Sequence, residues 1–268
     1  MIDLLRDIAL QAALEIRAIY ERAGEVCAIQ KGDGSPLTEA DMRSHHVIVS
    51  GLQKAFPSIP ILSEESGAID AKERREWHRF FLVDPLDGTK EFINRNGEFT
   101  INIALVENGE PIAGVVHVPI SGVTYSAERG SGAFRNSGHV EEKISVNICG
   151  REKLRIVGSR SHATSQLQEF LRGLDQPILV SKGSALKLCL VAEGSADYYP
   201  RHGPTSLWDV AAGHCIVNEA GGFVVDASGS VLRYAAEGPI LNPPFIAGAA
   251  ASESDKDWIV GTFSRSLV

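Results

Sequence analysis

The stretch Phe80-Phe81-Leu82-Val83-Asp84-Pro85-Leu86-Asp87-Gly88-Thr89 runs from four apolar residues into two aspartates three positions apart, then glycine and threonine. A short continuous apolar run bounded by a turn signal reads as an interior strand. Pro85 lacks an N–H and is expected to block further ladder pairing. Two readings of the aspartates compete. Asp-Pro and Asp-Gly are ordinary chain reversals, with Asp87 accepting hydrogen bonds and Gly88 supplying a positive φ. Alternatively, the strand end holds two like charges together because something binds them.

Two other acidic sites end the same way. Ile61-Leu62-Ser63 leads into Glu64-Glu65, and Ser206-Leu207-Trp208-Asp209 opens a long helix. In an α/β fold such element ends meet in a crevice. Gathering Glu64, Asp84, Asp87 and Asp209 there raises their pKa values unless a cation neutralises them. Oxygen donors without paired His or Cys select hard Mg2+ over zinc. The turn at Pro85 lets Asp84 and Asp87 converge and frees the Leu86 carbonyl as another oxygen ligand. Gly88 and Thr89 begin a helix whose exposed N–H groups suit a phosphate. Metal, phosphate and an adjacent hydroxyl together describe a phosphomonoesterase.

Each residue also has a plain structural reading. Asp41 and Asp209 occupy the N3 place of Thr38-x-x-Asp and Ser206-x-x-Asp capping boxes. Glu64 and Glu65 read equally as a solvated strand end. His45 and His46 lie on an amphipathic helix as surface or core-edge residues. The D-x-D-G-T motif of haloacid dehalogenase phosphatases is excluded, because its register puts Pro85 at the nucleophile position.

The chain has 268 residues, 44% of them hydrophobic, and a formal net charge of -8 with no Lys/Arg cluster. A surface for a nucleic acid polymer or an anionic membrane is therefore not expected. No signal peptide and no transmembrane segment is read, and Cys27, Cys149, Cys189 and Cys215 read as reduced thiols of a cytoplasmic protein. A helix carrying Leu4, Leu5, Ile8, Ala12, Ile16, Ile19 and Tyr20 comes first, and a second carries Ile48, Leu52 and Phe56. Short strands follow at Ile59 to Ser63 and Phe80 to Val83, then a hairpin of Phe99 to Val106 with Ile112 to Val118, then Val123 to Ala127. The Gly-, Ser- and charge-rich stretch Gly130 to Val146 holds the division between an α+β half, 1–140, and an α/β half, 141–268. In the latter, strands at Leu154, Ile178, Asp197 and Gly222 alternate with helices His162 to Arg172, Ala185 to Glu193 and Leu207 to Glu219.

The ordered set Asp41, Glu64-Glu65, Asp84 to Thr89 and Trp208-Asp209 resembles the lithium-sensitive, magnesium-dependent phosphatase superfamily that includes inositol monophosphatase. "LVDPLDGTKEFINRNGEFTINIAL", "SRSH", "GSALKLCLVAEG" and "YPRHGPTSLWDVAAGH" are similar to CysQ-type 3'(2'),5'-bisphosphate nucleotidases. The resemblance implies a layered α/β/α/β/α sandwich of the inositol monophosphatase and fructose-1,6-bisphosphatase type. It implies two or more Mg2+ ions per active site, one held by Glu64, Asp84 and the Leu86 carbonyl, the other by Asp84, Asp87 and Asp209. It makes Thr89 and Asp41 the pair that positions and deprotonates the attacking water. It places Glu64, Leu86, Asp87, Gly88, Thr89, His162, Gly183, Ser184, Lys187 and Asp209 around the substrate, adenosine 3',5'-bisphosphate, with inositol or another small monophosphate as the alternative. Lys187 taken alone reads as a solvated charge, whereas Lys90 after "DGT" favours a doubly phosphorylated substrate. Some members of this type are peripheral at the inner membrane, but no anchor is read here. Oligomeric state is not assigned.

Overall fold

Phe80 and Leu82 face one side of their strand and Phe81 and Val83 the other, and both sides are covered by apolar side chains. That burial on two faces makes the continuous apolar run an interior strand. The computed structural model describes residues 1–22, 28–30, 36–67, 69–159 and 164–267. In chain order it contains α1 (Ile2–Tyr20), β1 (Ala28–Gln30), β2 (Pro36–Thr38), α2 (Glu39–Ala55), β3 (Ile61–Ser63), α3 (Ala71–Arg74), β4 (Arg79–Asp87) and α4 (Thr89–Ile93). Next are β5 (Thr100–Glu107), β6 (Glu110–His117), β7 (Thr124–Glu128), β8 (Gly132–Ser137) and β9 (Val140–Ile144). The chain continues through β10 (Arg155–Ser159), α5 (Ser165–Arg172), β11 (Ile178–Lys182), α6 (Leu186–Ala192), β12 (Tyr198–Arg201), β13 (Thr205–Ser206) and α7 (Leu207–Glu219). It closes with β14 (Phe223–Asp226), β15 (Leu241–Asn242), β16 (Phe245–Gly248) and α8 (Glu253–Arg265).

Two sheets carry the architecture. The first is seven-stranded in sequence order from β3 to β9, and the second has the order β11-β10-β12-β16-β14. Leu5, Ile8 and Ile16 of α1 and Ile48 and Leu52 of α2 cover one face of the first sheet, meeting Phe81, Val83, Ile101 and Ile103. Its other face, with Phe80, Leu82, Ala104 and Val106, packs on α6 and α7, which lie between the two sheets. Leu167 and Phe170 of α5 and Ile259 and Phe263 of α8 cover the far side of the second sheet. The result is the expected α/β class with five layers, α/β/α/β/α. The layers come close: a Cβ on Gly114 of β6 would lie 2.5 Å from the Ala212 carbonyl oxygen of α7.

Several elements depart from the sequence reading. Strand β4 does not stop at Val83. Pairing with β5 continues through Asp84↔Asn102, is interrupted, and resumes at Asp87↔Thr100. Pro85 interrupts the ladder at a bulge rather than ending it, because a bulge tolerates a residue without a donor. The stretch Gly130 to Val146 contains β8 and β9, the edge of the first sheet, and the division placed after residue 140 falls inside β9. Exposed Glu141, Glu142 and Lys143 suit such an edge, since charge discourages pairing with other chains. Strand β16 lies in the middle of the second sheet and pairs antiparallel with β12 and β14, although the sequence reading has no strand or helix after Val225. Helix α8 carries the same kind of N-terminal signal as α2, α3 and α5, a side-chain cap: Ser252 Oγ accepts from the Asp255 N–H at 3.2 Å. The expected helix start at His162 lies outside the described residues. So does Cys27, while Cys149, Cys189 and Cys215 are free thiols. Among the described residues no helix is long and apolar enough to cross a membrane.

Asp197 fastens the start of the second sheet. It is buried, and it accepts from the Arg155 N–H at 2.6 Å, from Arg155 Nη2 at 2.6 Å and from Asn147 Nδ2 at 2.8 Å. Burial alone would raise its pKa, but the Arg155 and Asn147 hydrogen bonds together hold it below the usual range. A depressed carboxylate stabilises the fold above its unfolded pKa and loses that contribution as pH falls through the folded value. Asp197→Ala leaves the half-buried donors of Asn147 and Arg155 without their acceptor and should cost about 1–3 kcal/mol at pH 7, the range for polar groups that lose a hydrogen-bond partner. Urea unfolding should show the difference from wild type shrinking below about pH 4, near the unfolded carboxylate value.

Candidate active site

The β4 bulge sets the geometry. Side chains alternate along a strand, so residues three apart would face opposite sides. From Asp84 to Asp87 the chain takes three steps while β5 takes two, from Asn102 to Thr100. The extra residue restores the phase and brings both aspartates to the Asn102–Thr100 face. Asp84 is 2% exposed, and its Oδ1 accepts from the Leu86 N–H at 3.0 Å. Ser44 of α2 donates to the Pro85 carbonyl at 2.7 Å, pinning the bulge from the helix layer.

Glu64 follows β3, which runs parallel to β4, and its N–H donates to the Val83 carbonyl. Asp209 lies in the first turn of α7, where an oxygen of its carboxylate accepts from the Ser206 N–H at 2.8 Å. Glu64, Asp84 and Asp209 each present an oxygen within 4.8 Å of the others. Burial first, then the charges of Glu64, Asp87 and Asp209, push the Asp84 carboxyl well above its ordinary range. Burial and Asp87 do the same to Asp209. Asp87 lies outside that close group of three but near enough for its charge to act on Asp84 and Asp209, and its Oδ2 accepts from Ser184 Oγ at 2.7 Å and from the Ala185 N–H at 2.6 Å. The Leu86 side chain is buried in the core under α1 and α2, and its carbonyl oxygen lies 3.4 Å from Thr89 Oγ1.

The two oxygens of Asp41 have different partners. Oδ2 accepts from the Thr38 N–H at 2.8 Å and completes the capping box of α2. Oδ1 accepts from Thr89 Oγ1 at 3.3 Å. Thr89 starts α4 directly after Gly88, whose φ of +92° only glycine adopts readily. The cleft has a volume of about 250 Å³ and is lined among others by Asp87, Thr89, Lys187, Tyr199, Arg201 and Asp209. Gly183 and the exposed Lys90 also line it.

Lys187 departs from the plain reading of a solvated charge. It is buried, its Nζ donates to the Ser184 carbonyl at 2.6 Å, and it lies 5.6 Å from the Tyr199 ring centroid. Burial brings its pKa down to about 8, with Asp87 opposing. His162 lies outside the described residues. His45 is half-buried and His46 exposed, as the helix pattern implied. The sequence reading missed Arg201, held by the Gly203 and Pro204 carbonyls at 3.1 and 2.8 Å, and the buried Thr100 and Asn102. Their signal was the polar alternation Thr100-Ile101-Asn102-Ile103 in an otherwise apolar strand.

Comparison with known proteins agrees with this architecture. The inositol monophosphatase family matches residues 1–264. The chain is 46% identical over 245 residues to the 3'(2'),5'-bisphosphate nucleotidase CysQ of Escherichia coli O157:H7, covering 91% of this chain and 98% of that protein. It is 39% identical over 255 residues to the protein of the same name from Buchnera aphidicola, covering 93% and 94%. The crystal structure of CysQ from Bacteroides thetaiotaomicron, described as a bacterial member of the inositol monophosphatase family, superposes with a TM-score of 0.81 at 42% identity, covering 92% and 96%. The chain belongs to the inositol monophosphatase family.

Proposed function

We propose that this chain is a Mg2+-dependent 3'(2'),5'-bisphosphate nucleotidase that hydrolyses adenosine 3',5'-bisphosphate to AMP and phosphate, removing a by-product of sulfate assimilation. The observation that carries the reading is the convergence of Glu64, Asp84 and Asp209, with Asp84 buried, in a chain that also pairs Thr89 with Asp41. Buried like charges are costly without a counter-charge, and an all-oxygen donor set suits Mg2+. The residues therefore fit the cation. Glu64, Asp84 and the Leu86 carbonyl would hold one ion, and Asp84, Asp87 and Asp209 a second. Such ions supply Lewis-acid neutralisation of phosphoryl charge and acidify water at neutral pH.

The protein's own groups do the rest. Thr89 Oγ1 donates to Asp41 Oδ1, so its lone pairs are left to accept from a water and its proton has an acceptor. Asp41 keeps that orientation because its other oxygen is occupied by Thr38. Gly88, Gly183, Lys187 and His162 surround the nucleotide in this reading, with the Lys187 ammonium toward its second phosphate. The support for a doubly phosphorylated substrate is the presence of three cationic residues, Lys90, Lys187 and Arg201, in the lining of the same cleft as Asp87 and Asp209.

Phosphate release from a panel of bisphosphate nucleotides, inositol monophosphate and a small aryl phosphate tests the assignment. Turnover should require Mg2+ and be inhibited by Li+ and by Ca2+, whose longer, looser coordination suits the site less well. Lys187→Ala should raise Km for adenosine 3',5'-bisphosphate about tenfold to a hundredfold, the range for a lost charge-assisted hydrogen bond, and scarcely affect the aryl phosphate. Undiminished turnover in excess chelator rejects the metal reading, and faster turnover of inositol monophosphate replaces the nucleotide with that substrate.

A further inference from the structure

Four polar side chains form a line from the interior of the first sheet to Asp87, and their protons can be counted. Asn102 and Thr100 are fully buried on β5. Thr100 Oγ1 lies 2.9 Å from Asn102 Oδ1 and 2.5 Å from Ser184 Oγ, which in turn lies 2.7 Å from Asp87 Oδ2. A hydroxyl donates one proton, and an ionised carboxylate donates none. A carboxylate that holds a cation is ionised, so the Ser184 proton goes to Asp87. The Ser184 oxygen is then the acceptor of the 2.5 Å contact, which uses the single Thr100 proton. Thr100 Oγ1 is left only to accept from Asn102, and the amide end that donates is Nδ2. That atom is buried and, among the described residues, has no partner when Oδ1 faces Thr100. Turning the amide over gives Nδ2 its acceptor and leaves an under-satisfied oxygen, which buried structures tolerate better than an orphaned N–H.

We propose that Asn102, Thr100 and Ser184 are positioning residues for Asp87, joined in a one-way chain of hydrogen bonds from Asn102 Nδ2–H through both hydroxyls to Asp87 Oδ2. With Ala185 N–H, the chain occupies Oδ2 and leaves Oδ1 to a cation. The inference rests on the reading of Asp87 as a cation ligand. The loop shows that it is held by these contacts: Ser184 sits at φ +55°, a region that costs a non-glycine residue energy, and the preceding Gly183 N–H is tied to Glu98 Oε2 at 3.0 Å. The chain also joins β5 of the first sheet to the loop before α6, so the metal ligand and the cleft wall are set by one network.

The test is a Mg2+ titration of the full chain without substrate, read as the cation-dependent rise in melting temperature, beside the melting temperature in chelator. Thr100→Val keeps the side-chain shape and removes the proton. It should weaken Mg2+ about tenfold, the lower range for partners that orient a metal ligand. Thr100→Ser should restore wild-type affinity. Ser184→Ala should show a loss at least as large, and adding Thr100→Val to it should cost nothing more, because Thr100 acts only through Ser184. Unchanged affinity in Thr100→Val overturns the chain, as does a lowered melting temperature with unchanged affinity or a fully additive double variant. Should Thr100→Val fail to fold, unchanged affinity in Ser184→Ala overturns it equally. A wild-type protein that takes up no Mg2+ refutes the cation site itself, and the positioning role falls with it.

Discussion

Replacing Asp84 with asparagine is expected to lower phosphate release about a thousandfold or more, since the several kcal/mol of charge stabilisation supplied by metal ions correspond to a factor of ten per 1.36 kcal/mol. Asp84 is the most buried of the three converging carboxylates and the one shared between both proposed ion sites. Stability should move the other way. In chelator, Asp84 is crowded by Glu64, Asp87 and Asp209, and burial and their charges already push its carboxyl upward. Removing its charge relieves that repulsion, so Asp84→Asn in chelator should melt at or above the wild-type temperature. Adding Mg2+ should raise the wild type and leave the variant nearly unmoved. Calorimetric melts with and without Mg2+, beside phosphate release, check both halves. A variant that keeps the wild-type rate removes Asp84 from the cation site, and one that melts far lower in chelator makes Asp84 a structural residue.

Asp41→Asn is expected to reduce kcat by about 10² or more, the usual scale for losing a proton-relay member, with little change in melting temperature. The two oxygens of Asp41 separate the explanations. The cap on Thr38 uses Oδ2, and an asparagine oxygen can still accept there. The contact with Thr89 uses Oδ1, and an asparagine NH2 at that place donates where the carboxylate accepted. The Thr89 proton then has no acceptor at that position. Were capping the whole role of Asp41, Asp41→Ala would cost about 1 kcal/mol of stability and Asp41→Asn would leave kcat intact. Steady-state kinetics and melting curves of both variants distinguish the cases. A near-normal kcat in Asp41→Asn would end its assignment as proton acceptor.

The competing readings of Asp41 and Asp209 are compatible. A carboxylate has two oxygens, so it can complete a capping box and still present an oxygen elsewhere. Asp41 does this toward Thr89, and Asp209 pairs with the Ser206 N–H while joining the carboxylate cluster. No such double role is legible for Lys187. A lysine near the start of a helix ordinarily points to water, and only the packing of Tyr199 and the Ser184 loop around it shows that it is buried.

Local pattern alone carries the chemical inventory and the class of the fold. Apolar runs at period two or 3.6, ended by Gly, Pro and acid, place most of the strands and helices and the element ends where the carboxylates gather, because those patterns are local, although β8, β9 and α8 were not read. Strand β16, buried in the middle of the second sheet, was not legible, since four residues are too few for a period and its partners β12 and β14 are set by the layers around it. The phase of the site was not legible either. Alternation along a regular strand would send Asp84 and Asp87 to opposite faces, and only the pairing of β4 with β5 shows the extra residue that brings them to one. A bulge is a property of two strands in register, so no reading of one strand contains it. For the same reason Thr100 and Asn102 became part of the site only when their strand was laid beside the aspartates and Ser184 closed over them from the second half of the chain.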